Sequence, residues 1–370
     1  MIPIFNKYYN NKRVLVTGHT GFKGAWLSIW LTELGAKVYG YSLDPPSEPS
    51  MYATCGLRNR LEELRADILE YNRLKNYITE VRPEIVFHLA AQSLVRYSYV
   101  IPKLTLETNV LGTLNILEAV RECDSVRSLI IVTSDKCYEN HEQVYGYKET
   151  DPLGGEDPYS ASKAAAEILF RSYLKSFYRH NENLGAVSVR AGNVIGGGDW
   201  AKDRIIPDAI NALTKSEPIR VRNPRAIRPW QHVLEPLSGY LWLGARASDT
   251  PAAFSGAWNF GPSDSSAKSV RDLIETILGK WKGGSYEVAD NGDERKLHEA
   301  GWLRLTCDKA HVMLPWSAIL SFDENIRMTV EWYKNYYSQQ NQNMYHYTVH
   351  QIHHYIDLAI KQGQPWASQS

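Results

Sequence analysis

The junction at residues 13–35 constrains the fold more than any other stretch. Arg13-Val14-Leu15-Val16-Thr17 is a short apolar, β-branched run, the pattern of a buried strand. It empties into Gly18-His19-Thr20-Gly21-Phe22-Lys23-Gly24, and an apolar helix is expected from residue 25 to about 34, ending at Gly35. Strand, glycine turn and helix in this order open a dinucleotide-binding unit. The glycines let the backbone approach a pyrophosphate, and the helix N-terminus favours its negative charge. The spacing is GxxGxxG rather than GxGxxG. A glycine turn without a ligand is the competing reading, and the flanking strand and helix count against it.

Further strands and helices alternate after this unit. Lys37-Val38-Tyr39-Gly40-Tyr41-Ser42 reads as the second strand. Asp44 follows it, either to take a ribose hydroxyl or to serve the turn before Pro45-Pro46. No Arg stands at this strand end in the sequence to hold a 2′-phosphate, which favours NAD over NADP. Residues 72–81 look helical. Glu84-Ile85-Val86-Phe87-His88-Leu89-Ala90-Ala91-Gln92 is a strand with a small-residue exit, and its Ala pair permits close approach of a cofactor. His88 sits inside that apolar run and reads as a core histidine. A helix over 105–120 has Leu106, Val110, Leu114, Leu117 and Val120 on one face, interrupted by Asn109. Strands over 186–190 and 257–262 continue the alternation. The fold class is therefore α/β: a Rossmann-like doubly wound parallel sheet with a smaller, interleaved C-terminal α/β substrate domain. The division expected is 1–193 for the dinucleotide-binding part, with a return near 231–262. Residues 194–340 would form the substrate domain and 341–370 a C-terminal helical extension. That extension carries an amphipathic stripe of Val349, Ile352, Tyr355, Ile356 and Ile360.

Chemistry concentrates in two later stretches. Ile130-Ile131-Val132-Thr133-Ser134-Asp135-Lys136-Cys137-Tyr138 begins as a buried strand and ends in a hydroxyl, a carboxylate and an amine side by side. Open α/β sheets place their reacting groups at such carboxyl ends. Tyr159-Ser160-Ala161-Ser162-Lys163 puts a phenol and an amine one helical turn apart. A phenol of pKa ~10 is a poor base at neutral pH, but a lysine cation and a positive nicotinamide ring both favour its phenolate. Tyr159 is expected to take a hydroxyl proton while hydride leaves the same carbon for NAD⁺. Lys163 would hold the nicotinamide ribose and Ser134 the reacting oxygen. Asp135 and Lys136 suggest more than redox. Oxidising C4 of a hexose acidifies the C5 proton; a base must then take it and an acid must protonate the departing C6 hydroxyl. Two adjacent groups of different character suit those tasks.

Together these motifs resemble the extended branch of the short-chain dehydrogenase/reductase superfamily, and within it the nucleotide-sugar 4,6-dehydratases. Those enzymes carry Thr/Ser-Asp-Glu where this chain has Ser134-Asp135-Lys136. The lysine, the 18–24 turn and His298-Glu299-Ala300 are similar to the CDP-glucose 4,6-dehydratases. The resemblance implies tightly associated NAD, CDP-D-glucose as substrate and a 4-keto-6-deoxyglucose product for deoxysugar synthesis of the O-antigen, lipopolysaccharide type. It implies a homodimer or dimer of dimers through the helices near 105–120 and 160–179. Cofactor contacts by the same likeness are Gly18, His19, Thr20, Gly21, Phe22, Lys23, Gly24, Asp44, Leu89, Ala90, Ala91 and Thr133, with Asp67 and Ile68 flanking the adenine. Asn109 would support the catalytic lysine. Gln92, Ser93, Ser134, Asn193, Arg204 and Arg228 would face the substrate. One or two of Arg204, Arg220, Arg222, Arg225 and Arg228 would clamp a diphosphate; a solvated charged face is the competing reading. Nothing in the residues alone selects cytidine.

Two departures from the family pattern carry physical consequences. A free ammonium of pKa ~10.4 accepts no proton at neutral pH, so Lys136 can be the C5 base only in a site that lowers that value. Otherwise Lys136 stabilises the enolate as a cation and water is the base. His19 and Lys23 replace small apolar residues, and their bulk is expected to crowd the pyrophosphate, with the Lys23 charge partly compensating.

Bulk properties exclude other classes. Net formal charge is +0, with no sign of a nucleic-acid partner. Residues 1–13 lack an apolar signal core, and no apolar run is long enough for a bilayer. Cys55, Cys123, Cys137 and Cys307 form no CxxC pair and read as reduced thiols, so a cytoplasmic enzyme with no membrane partner and no metal is expected. Cys137 is read as a packed hydrophobe rather than a nucleophile. The rival readings are a nucleotide-sugar 4-epimerase and a non-catalytic NAD-dependent binding protein.

Overall fold

A computed structural model describes residues 4–263, 266–288, 302–338 and 343–368; His298-Glu299-Ala300 lies outside them. Seven parallel strands form the central sheet: β1 (Arg13–Thr17), β2 (Lys37–Ser42), β3 (Glu62–Arg65), β4 (Ile85–His88), β5 (Ser128–Val132), β6 (Gly185–Arg190) and β7 (Gly256–Asn259). Their order is β7-β6-β5-β4-β1-β2-β3. The direction of winding reverses between β1 and β4, which opens a crevice at their carboxyl ends.

Strands β4, β5 and β6, and β1 beyond Arg13, are buried along their length because both faces are covered, whereas the edge strand β3, Glu62-Glu63-Leu64-Arg65, is polar and at most half-buried. Alternate residues enter opposite cores. Val14, Val16, Phe87, Ile130, Val132, Val187 and Val189 pack with Trp26 and Trp30 of the helix Phe22–Glu33 and with Leu234, Leu237 and Leu241 of the helix Leu234–Asp249. Leu15, Val86, Leu129, Ile131 and Ala186 pack on the other face with Leu74, Ile78, Leu117, Val120 and Phe170. The latter come from the helices Tyr71–Val81, Gly112–Arg121 and Pro158–Ser176.

The expected helix over 105–120 begins earlier and is not uniform. Pro102–Leu106 and Gly112–Arg121 are joined by a π-helical turn, Glu107–Leu111. Leu117 and Val120 are buried, but Leu106 is exposed, so the predicted apolar stripe does not all face the core. Beyond β6 the chain builds small ribbons from distant segments. Val194–Ile195 pairs with Gln231–His232, Ile219–Val221 with Tyr286–Val288, and Ile227–Pro229 with Ala267–Ser269. The C-terminal helix Tyr345–Lys361 shares the core of the first helix: Tyr345 donates to Glu33, and Trp366 stacks on Phe5 at 5.2 Å and on Tyr355 at 5.8 Å.

Candidate active site

The crevice has a wall made of backbone. Gly18 has φ +74°, and a Cβ there would lie 2.7 Å from the Ala90 nitrogen at the exit of β4. A Cβ on Gly24 would lie 2.2 Å from the Gly18 carbonyl oxygen. The turn closes through Gly21 N–H to Gly18 O at 3.1 Å, and Thr20 Oγ1 meets Ser42 Oγ at 2.8 Å and Leu43 O at 3.0 Å. The helix Phe22–Glu33 has no side-chain cap at its N-terminus, so the first-turn N–H groups are available to an anion. These residues fit a dinucleotide pyrophosphate at the crevice between β1 and β4. Leu89, Ala90 and Ala91 line the β4 side. Ala90 N–H donates to Thr17 Oγ1 at 3.2 Å, and that hydroxyl meets His88 Nδ1 at 2.8 Å. His88 is a buried core residue whose pKa falls to about 3, through burial and then the charge of Lys163.

At the far end of this wall, Asp44 is exposed after β2. Asp67 Oδ1 accepts from Leu69 N at 3.0 Å, and Ile68 is buried beneath Gly112. An arginine does stand beside the end of β2, contrary to the sequence expectation. Register pairs Ser42 with Arg65 of β3, whose Nη1 donates to Leu43 O at 2.9 Å. Arg65 is committed to Glu63 at 3.1 Å and lies over the Tyr52 ring.

His19 and Lys23 leave the turn on different sides. The His19 ring is fully buried beneath it, against Gly40, with Nε2 2.7 Å from Glu63 Oε2. The Lys23 ammonium lies 5.9 Å from the centroid of Tyr240, on the reaction side of the crevice. Its pKa is drawn down to about 8 by burial, then by repulsion from Arg204 and Lys163.

The opposite wall is made of side chains. Ser134 caps the short 3-10 turn Asp135–Cys137, accepting from Lys136 N at 3.2 Å, and its Oγ donates to Asp135 Oδ1 at 2.9 Å. Asp157 caps the helix Pro158–Ser176 through Ser160 N and so presents Tyr159 and Lys163 in its first turns. Burial pushes the Tyr159 phenol up to about 12, while a hydrogen bond with Ser134 and the charge of Arg204 pull it down. Arg204 is a cation acting on this phenol, and Lys163, one turn along the same helix, donates from Nζ to Val132 O at 3.4 Å. Burial pulls Lys163 down to about 8, against the raising influence of Glu167. Asn109, in the π-helical turn, receives Gln92 N on Oδ1 at 2.8 Å and donates from Nδ2 to Ser162 Oγ at 2.8 Å, one residue before Lys163. Thr133 donates to Glu167.

The residues expected to face a substrate are brought together only in part. Arg204 donates to Asp199 Oδ2 at 2.8 Å and to Ser93 Oγ at 3.2 Å, which links the exits of β4 and β6 above Tyr159. Asn193 adopts a left-handed conformation (φ +52°) and accepts Gln231 N on its carbonyl. Gln92 is a correction: its side chain is turned inward onto Leu94 and Thr105, with Oε1 accepting Leu94 N at 2.6 Å and Nε2 donating to Thr105 Oγ1 at 2.9 Å. Arg228 sits on the antiparallel ribbon, its Nη1 donating to Ile227 O. Its ribbon neighbour Pro229 joins Asp135, Gly192, Gln231 and Arg304 around a small cavity.

Several site residues were missed. Tyr240 is fully buried, and its hydroxyl has no hydrogen-bond partner among the described residues. Gly192 is required by Asp135, whose Oδ2 would lie 1.8 Å from a Cβ there. Glu167 was in reach of the sequence: it lies one turn past Lys163, on the same face. Among the described residues no group of His, Cys, Asp and Glu forms a metal site, and no helix is long and apolar enough to cross a membrane.

A family model described as GDP-mannose 4,6 dehydratase matches residues 15–329. The CDP-glucose 4,6-dehydratase of Salmonella typhimurium is 46% identical over 335 residues, covering 90% of this chain and 93% of that protein. The chain belongs to the nucleotide-sugar 4,6-dehydratase family. Among solved structures, this dehydratase is similar to dTDP-glucose 4,6-dehydratase from Bacillus anthracis in complex with NAD (TM-score 0.74, 19% identity, 89% and 98% of the two chains). It is also similar to the Thermus thermophilus UDP-glucose 4-epimerase complex with NAD (TM-score 0.72, 25% identity, 87% and 99%).

Proposed function

We propose that this dehydratase uses NAD to convert CDP-D-glucose to CDP-4-keto-6-deoxy-D-glucose. The observation that carries the reading is the Ser134 hydroxyl, which donates to Asp135 Oδ1 at 2.9 Å beside the buried Tyr159 phenol, on which both residues act. A hydroxyl and a carboxyl thus stand together next to a phenol, as a two-stage reaction on adjacent sugar carbons requires. NAD supplies the hydride acceptor for C4 and the hydride returned to C6. Tyr159 takes the C4 hydroxyl proton, Ser134 holds that oxygen, and Lys163 stands behind both as the cation. Asp135 delivers a proton to the departing C6 hydroxyl, and Lys136 serves the C5 step, either taking that proton or, as a cation, stabilising the enolate while water takes it. Asn109 fixes the helix beneath Lys163, and Arg204 and Arg228 take the diphosphate.

The cytidine preference is supported by the likeness to the Salmonella enzyme. Exposed Leu104, Leu106, Leu111, Ile168 and Phe177 on the helices flanking the site support a homodimer through that face. Four free cysteines support a reducing, cytoplasmic setting, and deoxysugar assembly for lipopolysaccharide is the role that fits the product. The test is to offer CDP-, dTDP-, UDP- and GDP-glucose in deuterated water. The reading expects loss of one water from CDP-glucose and deuterium at C5. Epimerisation without mass change would replace it with the 4-epimerase reading.

A further inference from the structure

The helix carrying Tyr159 and Lys163 holds another charge that the reaction as described does not use. Glu167 is buried one turn beyond Lys163 and faces Arg190 at the end of β6. Their side chains are 2% and 3% exposed, with Nη2 2.7 Å from Oε2. Burial alone would raise the carboxyl; the Arg190 charge and hydrogen bonds from Arg190, Thr133 and Ser188 carry it below the usual range instead. A buried ion pair costs desolvation on both sides and is often no more stable than a packed apolar pair. Fold stability alone is therefore a weak reason for it.

Its hydrogen bonds suggest a stronger one. Thr133 Oγ1 donates to Glu167 Oε1 at 2.5 Å. Arg190 Nη1 donates to the Tyr138 phenolic oxygen at 2.7 Å, and the guanidinium stands 4.8 Å from that ring's centroid. Tyr138 in turn donates to Asn259 Oδ1 at 2.8 Å. Thr133 and Tyr138 bracket Ser134, Asp135, Lys136 and Cys137. One partner of the pair grips the entry to this turn, the other grips its exit, and each grips the other. Asp135 lies over Gly192, two residues beyond Arg190, in the space a Cβ there would take, 1.8 Å from Oδ2.

We propose that the pair of Glu167 and Arg190 is a positioning clamp on the acid–base turn, fixing where Asp135 and Lys136 stand relative to Tyr159 and Lys163. The inference rests on the dehydratase reading, and it assigns the clamp chiefly to the elimination half of the reaction. Oxidation at C4 uses Ser134, Tyr159 and Lys163, which lie on the entry side and on the helix. Elimination uses Asp135 and Lys136, which lie nearer the exit held by Arg190.

Glu167→Gln would strand a buried guanidinium, and that variant can fail simply by unfolding. Tyr138→Phe removes the exit hook, together with the bond to Asn259, and leaves the contact between Glu167 and Arg190 in place. With CDP-glucose and NAD it should lower kcat by roughly 10- to 100-fold with KM within about twofold, since a misplacement of ~1 Å costs about that much. During a single turnover, reduced nicotinamide should accumulate in its absorbance band, because oxidation outruns elimination. A Tyr138→Phe enzyme with wild-type kcat, or one that slows with no accumulation, would overturn the clamp while wild-type turnover upholds the dehydratase reading. A wild-type enzyme that dehydrates none of the nucleotide sugars would overturn both.

Discussion

The two walls of the crevice are built from different material. The cofactor wall is backbone: Gly18 packs closely on Gly24 and the Ala90 nitrogen, and the helix N-terminus supplies donors that no side chain caps among the described residues. The opposite wall is side chain. Ser134, Asp135, Tyr159, Lys163 and Arg204 come from three separate segments and are held by hydrogen bonds and charges. A backbone surface suits a ligand that is the same in every turnover. A side-chain surface can hold groups whose proton occupancy must change during the reaction. Substitutions on the two walls should therefore fail in different ways.

The largest expected effect is on the side-chain wall. Tyr159→Phe removes the base for the first proton and should lower turnover by ~10³–10⁴-fold, with little reduced nicotinamide formed on mixing. Asp135→Asn should cost ~10²–10³-fold in dehydration while C4 oxidation persists, which single-turnover absorbance would record. If both variants lost oxidation equally, the two halves of that wall would not be separable. On the backbone wall, Gly18→Ala adds a Cβ at φ +74° against Ala90. The left-handed strain of ~1–2 kcal/mol falls on free and bound enzyme alike, but the Cβ displaces the Ala90 backbone that lines the crevice, so NAD should bind roughly 10-fold more weakly by titration. Turnover at saturating NAD should change much less. A large loss of turnover with unchanged NAD affinity would break the contrast.

Protons sharpen it further. Lys163 titrates at about 8, pulled down by burial against Glu167. Its charge is complete below that pH and lost above it, so kcat/KM should fall as pH rises through about 8. By pH ~9 the loss should approach 10-fold. Lys23 also lies at about 8 and faces Arg204, Lys163 and Asp135. The limb should survive in Lys23→Met; its disappearance there would assign it to Lys23 instead.

This division also governs what the sequence revealed. Six of the seven strands were legible because strands with buried faces are apolar runs, while the polar edge strand β3 carried no such signal; the glycine turn was legible because close backbone approach leaves no other choice of residue. Tyr159 and Lys163 were legible because both lie on one helix, where spacing fixes geometry. Contacts across segments were not. Arg65 reaches the end of β2 only through the pairing of β2 with β3. His19 turns beneath the glycine turn because Gly40 leaves room for its ring and Glu63 offers a partner. Gln92 turns inward because Thr105 and the Leu94 backbone satisfy it. The interleaved ribbons, two or three residues long, carry too little periodicity to be seen.

The smallest expected effect lies away from the crevice, where another buried carboxyl has no cation beside it among the described residues. Glu235 accepts Ile319 N at 2.9 Å, Leu320 N at 2.6 Å and the Tyr355 hydroxyl at 2.8 Å. Burial raises its pKa to about 7, although those bonds oppose the rise. Glu167, equally buried, stays ionised because Arg190 stands beside it. Between about 4.5 and 7 the folded state therefore keeps a proton at Glu235 that the unfolded chain releases. Stability should fall as pH rises across that window and level off above it, by about 3 kcal/mol at most. For a chain this long that is a Tm change of about 4 °C. Glu235→Gln can keep all three contacts, its amide oxygen accepting the two backbone N–H groups and its NH₂ meeting the Tyr355 oxygen. It should flatten this part of the Tm–pH profile in calorimetry and leave kcat unchanged. A profile of the same slope in Glu235→Gln would place the proton elsewhere in the core.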